Sequence, residues 1–542
     1  MPQNPSSKTD ILIVGAGPVG LTLACDLARH GINFRIIDKG PGRSVHSKAI
    51  VIHARTLEIL ESLGVIDAFL ECGQKVCAFE MYAGNEKLLS LKIEGIDSPF
   101  QHVINLSQAE TERILEEHLN EQGYQVERLC TCTELTQDSK GIEATIQHTE
   151  TGNQEKINAH YLVGCDGAHS TVRQFLNISF QGSEYEEDFI LADVCIDGPF
   201  ENDKARIYFH ADGVLAVFPM ENPYWRLIAS VDKKTEATIE LFEDIMRQRE
   251  APQATLHDPR WLSDFKIHHR IVENYQKDHA FLAGDAAHIH SPAGGQGMNT
   301  GMQDAINLGW KLALVLNKKA HPKLLESYHE EREPIGHDVV EFTHKLTRVI
   351  TMQSKVGTKI RNHLMPLLIQ IEPFREKMVN TIEELTIHYG HSPIVEESVH
   401  EHSPELKAGS RAPDGTVTDA NTGSAKRLFS IFSETRKHTL LVYTNAQDTE
   451  DVYQEINYID KHIAQRYEDV IQTVIIGNRQ IPKALEATPA QKFLDARSKI
   501  HATYGTKKHS ALYLIRPDGY IGYRAIPPSL DDFRGYLKKV FL

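Results

Sequence analysis

Long apolar runs are missing from this chain. Nowhere in its 542 residues does a stretch approach the roughly twenty that a membrane span needs. The opening MPQNPSSKTD is polar and carries no hydrophobic signal region, so a cytoplasmic protein is expected. Basic charge is outnumbered: 58 Lys and Arg against 74 Asp and Glu leave a formal net charge of −16. That balance argues against a nucleic-acid or membrane partner, although local basic patches remain open. Cysteine stops at Cys195, and the odd total of seven does not read as a disulfide framework. Cys130-x-Cys132 has no matching second pair, so no zinc or other metal site is expected. A hydrophobic content of 41% and a charged content of 24% are those of a globular protein, long enough for two or three domains.

Glycine is plentiful in two telling places. In DILIVGAGPVGLTLACDLARHGINFRIID (10–38) an apolar run enters a Gly15-x-Gly17-Pro18-x-Gly20 turn, then an amphipathic helix, then a second apolar run ending at Asp38-Lys39. This is a βαβ unit whose glycines permit a tight turn and close backbone approach to a pyrophosphate. The helix N-terminus supplies unpaired N–H groups and a positive dipole end, and Asp38 is placed to accept hydrogen bonds from a ribose. Such a unit indicates a dinucleotide without saying which.

The stretch FLAGDAAHIHSPAGGQGMNTGMQDAINLGWKLALVL (281–316) narrows the choice. A strand delivers Gly284-Asp285, whose carboxylate can bind a polyol such as a ribityl chain. Gly294, Gly295 and Gly297 let backbone lie against a flat ring, and a helix starting near Gly297 aims its positive end at that ring, which favours an anionic reduced flavin. His288-x-His290 falls in the same loop and reads as pocket lining. A third piece, YLVGCDGAHSTVR (161–173), ends a strand at Asp166-Gly167 and adds His169 and Arg173.

In this order the three pieces resemble the FAD-dependent aromatic hydroxylases, the p-hydroxybenzoate and phenol hydroxylase family, and the wider match is nearest to pentachlorophenol monooxygenase-like members. Supporting strings are HSKAIVIHARTLEILESLGV (46–65), NLSQAETERIL (105–115) and RPDGYIGYR (516–524). The resemblance implies an α/β fold: a Rossmann-like FAD-binding domain with an inserted β-sheet substrate domain, p-hydroxybenzoate hydroxylase-like, plus a C-terminal thioredoxin-like domain. It implies FAD as cofactor, NADPH or NADH as transient co-substrate, and O2. The reaction it implies inserts one oxygen atom into a phenolic or polycyclic aromatic substrate through a flavin hydroperoxide. A homodimer is a further expectation. The same resemblance places Gly15, Gly17, Pro18 and Gly20 at the pyrophosphate and Asp38 with Lys39 at the adenosine ribose. It puts Lys48, Arg55 and Gln108 at the phosphates and ribityl region, and gives Asp166 and Gly167 to FAD and the nicotinamide nucleotide. Gly284 and Asp285 fall at the ribityl chain, and Pro292, Gly295, Gly297, Met298 and Asn299 at the isoalloxazine. Many relatives have arginine where Lys48 stands, which keeps the charge but has a planar fork that lysine lacks.

Residues 1–180 read as the first part of the FAD-binding domain, with Ser107 and Glu110 as a capping pattern for a helix to Leu119. Residues 181–275 are rich in β-branched and aromatic runs and read as the substrate-binding sheet. Residues 276–400 return to the FAD-binding domain and add a long helical stretch from 340, kinked near Pro366 and Pro373. The polar segment 402–423 reads as a linker into a C-terminal domain, 401–542, whose lack of cysteine excludes thioredoxin chemistry. On the predicted pocket sheet Tyr208, His210, Tyr224 and Arg226 are the catalytic candidates, although strand alternation sends about half of such side chains away from the pocket. Three alternatives stay open: a related flavin epoxidase or antibiotic-modifying monooxygenase, a flavin-binding protein without turnover, and a flavin disulfide reductase using Cys72 and Cys77.

Overall fold

In the computed structural model the run Lys8–Val14 is a strand with nearly every side chain buried, because both its faces are covered. It lies between two parallel neighbours, Gln154–Gly164 on one side and Phe34–Ile37 on the other. The strand Ala280–Leu282 continues the sheet beyond Gln154–Gly164, again in parallel. Register aligns Val14 with Ile37 and Gly164, and Gly164 with Leu282. The chain segments that leave these four strand ends therefore emerge side by side at one edge of the sheet, where ligands bind in open α/β sheets. The structure describes residues 7–542 except His46, 232–234, 353–361, 364–366, 400–405 and Ala446, with backbone only at 185–187.

Two units divide the chain. The first gathers Met1–Ile96, Phe100–Ile306 and Arg332–Leu385; the second gathers Asp97–Pro99, Asn307–Glu331 and Thr386–Leu542. Besides the sheet just described, the first unit holds an eight-stranded sheet. Its centre is built from Phe180–Asp197, Lys204–His210, Gly213–Pro219, Tyr224–Val231 and Thr255–Val272. Two strands from the N-terminal region, Ala78–Ala83 and Glu86–Lys92, extend it at one edge, so the sheet is not confined to 181–275. One face is sealed by the helix Ile239–Gln248, whose Phe242, Ile245 and Met246 pack on Tyr208, Leu215, Leu227 and Ala229. The other face is apolar but half-open. Phe189, Phe209, Val214 and Ile267 are buried there, while Met81, Ile207, Ile228 and Phe265 remain partly exposed.

The second unit is a mixed sheet of eight strands. His438–Thr444 runs parallel to Ile471–Gly477, which runs parallel to Gln491–Leu494; Ala511–Ile515 and Ile521–Ile526 complete an antiparallel side. The helices Glu450–Arg466 and Leu530–Val540 supply one apolar layer through Ile456, Ile459, Phe533 and Leu537.

Three sequence expectations change. The helical stretch from 340 belongs to a helix that begins at Glu326 and ends at Ile350, and a separate helix spans Glu372–Ile382. Pro373 occupies the first turn of that second helix, where its missing N–H costs nothing, and so starts a helix rather than kinking one. Pro366 lies outside the described residues. The segment read as a linker is partly strand: Thr416–Asp419 pairs with Ala425–Arg427 and with Gln491–Leu494, while 402–405 lie outside the described residues. Among the described residues no helix is long and apolar enough to cross a membrane.

Candidate active site

The glycine turn leaves the end of Lys8–Val14 with Gly15 at φ +107°, a conformation that side chains rarely adopt. A Cβ on Gly15 would lie 2.3 Å from the Cys165 carbonyl oxygen, and one on Gly20 would lie 1.9 Å from the Gly15 oxygen. Those two glycines let backbone pack on backbone. Gly17 differs: a Cβ there would meet nothing within 4 Å, so it faces open space. It is also the N-cap of the helix Pro18–Arg29, with no side chain capping it and Pro18 in the first turn. An uncapped positive helix end facing an open cradle suits the pyrophosphate of a dinucleotide.

Around this cradle the other motif residues take distinct places. Asp38 is half-buried and preset by two backbone donors, Ala16 N–H at 2.8 Å and Gly40 N–H at 2.7 Å, with Lys39 exposed beside it. Asp166 caps the short helix Thr171–Phe175 by accepting from Thr171 and Val172, and its other oxygen, Oδ1, is buried without a hydrogen-bond partner. Gly167 follows in the left-handed turn. Asp285 lies in the one-turn helix Gly284–Ala286 with its side chain exposed. Desolvation by the surrounding protein raises its carboxyl above the ordinary value, eased by His288 and Lys48, as expected of an acid within a cleft.

The Gly284–His288 turn is pinned from behind by residues that spacing could not reveal. Asp304, fully buried, accepts from Gly284 N–H at 3.0 Å, His288 Nε2 at 2.7 Å and Arg332 Nε at 2.7 Å. Burial alone would raise its carboxyl; Arg332 and His288 reverse that and hold it below the ordinary value. Arg173 donates to the Ala286 and Ala168 carbonyls, joining this turn to the Asp166 turn. His288 therefore builds the turn instead of lining a pocket. His290 stands nearer the loop, 3.5 Å from where a Cβ of Gly297 would be, and burial pushes its ring down to about 4, so it is neutral at ordinary pH.

The loop 291–299 enters the helix Gly297–Leu316 at its positive end, as the glycine pattern predicts. Pro292 is exposed, Gly295 and Gly297 are half-buried, and Met298 is buried. Asn299 is fully buried and serves the loop's own geometry: its amide donates to the Val51 and Gly295 carbonyls, and its oxygen accepts from His53 N–H. Lys48 is exposed. Arg55 is buried and donates to Glu58, and Gln108 spends its amide on Glu112 and its N–H on Ser47. These two face protein partners, and their connection to the cradle is through the loops they support.

The four substrate-side candidates are dispersed. Tyr208 lies on the sealed face, 2% exposed and stacked on Tyr82 at 5.0 Å between ring centroids. Desolvation raises its hydroxyl far above the tyrosine range, against Arg206, so it does not ionise near neutral pH. His210 ends its strand beside the hairpin turn, 3.3 Å from Asp212. Tyr224 and Arg226 occupy alternate positions of one strand and so share the open face. Tyr224 is half-buried with Arg260 over its ring at 5.0 Å. Arg226 is not free to meet a substrate: Nε and Nη2 grip Asp193 at 2.7 Å each, and Nη2 also donates to the Ser47 carbonyl at 2.6 Å. It tethers the Lys48 loop by its backbone. Cys72 and Cys77 are free thiols, Cys72 half-buried and Cys77 exposed.

Comparison with known proteins agrees with this geometry. A family model described as FAD binding domain matches residues 8–343. Pentachlorophenol 4-monooxygenase of Sphingobium chlorophenolicum is 32% identical over 531 residues, 96% of this chain and 94% of that protein. A rifampicin monooxygenase of Streptomyces venezuelae is 33% identical over 393 residues, covering 70% of this chain and 79% of that one. Among solved structures, an anhydrotetracycline hydroxylase from Streptomyces rimosus superposes with a TM-score of 0.77 at 27% identity, over 98% of this chain and 99% of that one. With an open dinucleotide cradle, a pinned Gly-Asp turn and relatives aligned along nearly its whole length, the chain belongs to the FAD-dependent aromatic hydroxylase family and is a monooxygenase.

Proposed function

We propose that this enzyme uses NADPH or NADH to insert one atom of O2 into a phenolic or polycyclic aromatic substrate held against the open face of the eight-stranded sheet. The observation that carries the reading is the asymmetry of that sheet. One face is closed by the helix Ile239–Gln248, whereas on the other, among the described residues, Met81, Ile207, Ile228 and Phe265 are only partly buried in an apolar wall that Ile350 also meets. Its strand Thr255–Val272 pairs directly with His288–Ile289, the segment that follows the Asp285 turn, so the wall and the cofactor cradle are joined. Aromatic substrates fit such a wall, and the relatives are named for pentachlorophenol, rifampicin and anhydrotetracycline, all of which contain aromatic rings.

Bound FAD supplies the activation of oxygen, using electrons from the nicotinamide nucleotide. The chain's own contribution is binding, orientation and exclusion of water. The Gly17 cradle would take the pyrophosphate, Asp38 the adenosine ribose, Asp285 the ribityl chain and the 292–299 loop the ring. Apolar side chains on the open face keep the reacting region dry, which prevents loss of activated oxygen as H2O2. Of the four candidate side chains, Tyr224 is the one to test for handling the phenol proton, since Tyr208 faces the sealed layer and Arg226 serves Asp193 and the Lys48 loop.

The strand order of the second unit, with parallel His438–Thr444 and Ile471–Gly477 beside an antiparallel hairpin, supports a thioredoxin-like domain in a structural or dimer-supporting role. We assign the first unit to the Rossmann-like, p-hydroxybenzoate hydroxylase-like arrangement, and the whole to a cytoplasmic homodimer. The test is NADPH and NADH oxidation by the FAD-loaded protein across phenols and polycyclic aromatics, with product mass followed in parallel. Faster oxidation with a gain of one oxygen supports the reading. Bound FAD with no response to any aromatic compound would count against it.

A further inference from the structure

Behind the ring-side loop lies a buried group of titratable side chains that the proposed function does not use. His53 is fully buried at the N-cap of the helix Ala54–Leu63. Its Nε2 is 2.8 Å from the Gly294 carbonyl oxygen, and its Nδ1 is 3.5 Å from Glu383 Oε1. A carbonyl only accepts, so Nε2 must carry a proton and donate it. Nδ1 then faces a carboxylate, and a second proton must lie on one side of that gap, since a bare ring nitrogen opposite a carboxylate would repel it. Glu383 Oε2 accepts Ala54 N–H at 2.8 Å, at the positive end of the helix. Burial pulls the imidazole down, but Glu383 outweighs it and the ring is raised above its ordinary value.

Next in sequence, Glu384 adopts a left-handed backbone at φ +58°. That turn directs its buried carboxylate at Thr300 Oγ1, 2.9 Å away, and at the Gln303 amide, both on the first turns of the helix Gly297–Leu316. No cation is hydrogen-bonded to it among the described residues. Burial pushes Glu384 up to about 7, opposed by His53, Thr300 and Arg332 and reinforced by Glu383. Among the described residues His102 also faces Glu383, and it is itself pulled down by burial and by Lys75; Arg55 meets Glu383 through its backbone N–H.

We propose that His53, Glu383 and Glu384 form a proton-holding cluster behind the flavin loop, in which the His53–Glu383 pair keeps its proton and Glu384 takes one up when negative charge builds on the ring side of the loop. The geometry carries this. His53 touches the loop carbonyl at Gly294, Glu384 touches the helix start that follows the loop, and the two acids are adjacent in sequence. The balance is one proton from solvent to the Glu384 carboxylate for each two-electron reduction of the cofactor, beyond the protons the ring itself takes. The proposal rests on FAD occupying the cradle and is independent of the aromatic substrate.

The experiment is the midpoint potential of the bound flavin in the full, FAD-loaded chain from pH 5.5 to 8.5, with neither substrate nor nucleotide present. One extra proton per two electrons steepens the slope by about 30 mV for each tenfold change in proton concentration. The wild type is expected to show that steeper slope around neutrality, Glu384→Gln to lose it, and Glu384→Asp to retain it. Equal slopes in wild type and Glu384→Gln would overturn the proposal. Should Glu384→Gln fail to fold, proton uptake during photoreduction of the wild type in weak buffer, read with an indicator dye, is set against the ring's own protonation read from the reduced-flavin absorbance: uptake beyond the ring's share is expected near neutrality, and uptake the ring accounts for in full overturns the proposal. A wild-type chain that retains no flavin refutes the cofactor assignment, and the proposal with it.

Discussion

Two buried carboxylates press on the same helix, Gly297–Leu316, and behave in opposite ways. Asp304 lies on the helix itself and receives Arg332, His288 and the Gly284 N–H. Glu384 comes from a distant segment and receives only a hydroxyl and an amide from that helix. Burial penalises both ionised forms, yet Asp304 ends below its ordinary value and Glu384 ends near 7. The deciding difference is whether a cation is hydrogen-bonded to the carboxylate. Asp304 is a fixed charge that sets the shape of the Asp285 turn at any pH near neutral. Glu384 can change charge without changing partners.

Removing the fixed charge is the strongest way to break this contrast. Asp304→Ala strands Arg332 and His288 in the interior, and should cost about 3–5 kcal/mol of stability together with most of the bound flavin. Denaturant unfolding and the flavin absorbance of the purified protein measure both; a stable, fully yellow variant would show that Asp304 does not hold the turn. Asp285→Ala separates the turn's shape from its contact with cofactor. Its side chain is exposed, so the protein should keep its stability to within about 1 kcal/mol and yet purify with little flavin. Normal flavin content would remove Asp285 from the cofactor site.

The acids also differ in the direction of their pH effects. Asp304 titrates lower in the fold than in the unfolded chain. Its stabilisation is complete above the ordinary aspartate value near 3.8 and disappears as pH falls through the lowered one. Glu384 titrates higher in the fold than its ordinary 4.5, so stability declines as pH rises from there to about 7 and then levels off. Glu384→Gln should therefore gain on the order of 1–3 kcal/mol relative to wild type between pH 4 and pH 8. Parallel melting curves for the two proteins across that range would instead mean that Glu384 does not titrate there. The smallest effect is expected at Tyr208→Phe, about 0.5 kcal/mol or less with an unchanged hydroxylation rate, because that ring belongs to the sealed layer. A tenfold fall in rate would return Tyr208 to the list of proton-handling groups.

Much of the cofactor side is legible in the sequence because its signals are local. The Gly15–Gly20 turn, the Gly284-Asp285 pair and the helix start at Gly297 are each marked by residues a few places apart, and Asp38 by its place at the end of the next apolar run. The capping pattern at Ser107 is similar: its hydroxyl accepts from Glu110 N–H, although the Glu110 carboxylate turns to Arg113 instead of closing the box. What holds these pieces in place is long-range and leaves no pattern. Ala54 meets Glu383 across a sequence separation of 329, and Arg226 reaches Ser47 across 179. Alternation implies that half of the pocket-sheet residues face away, but which half depends on where the helix Ile239–Gln248 docks, and that choice puts Tyr208 on the sealed face. Pro373 misleads for a related reason: the residue that breaks a helix from within also begins one well, and only the chain's path distinguishes the two.

The tether at Arg226 has a consequence for how this protein can change over generations. It grips the Lys48 loop through the Ser47 and Lys48 carbonyls, atoms that every residue type presents alike. Exchange of Lys48 for arginine would leave those bonds untouched. The loop's position and the charge it displays are therefore separately heritable, and a lineage can trial new heads at position 48 without rebuilding the scaffold that carries them.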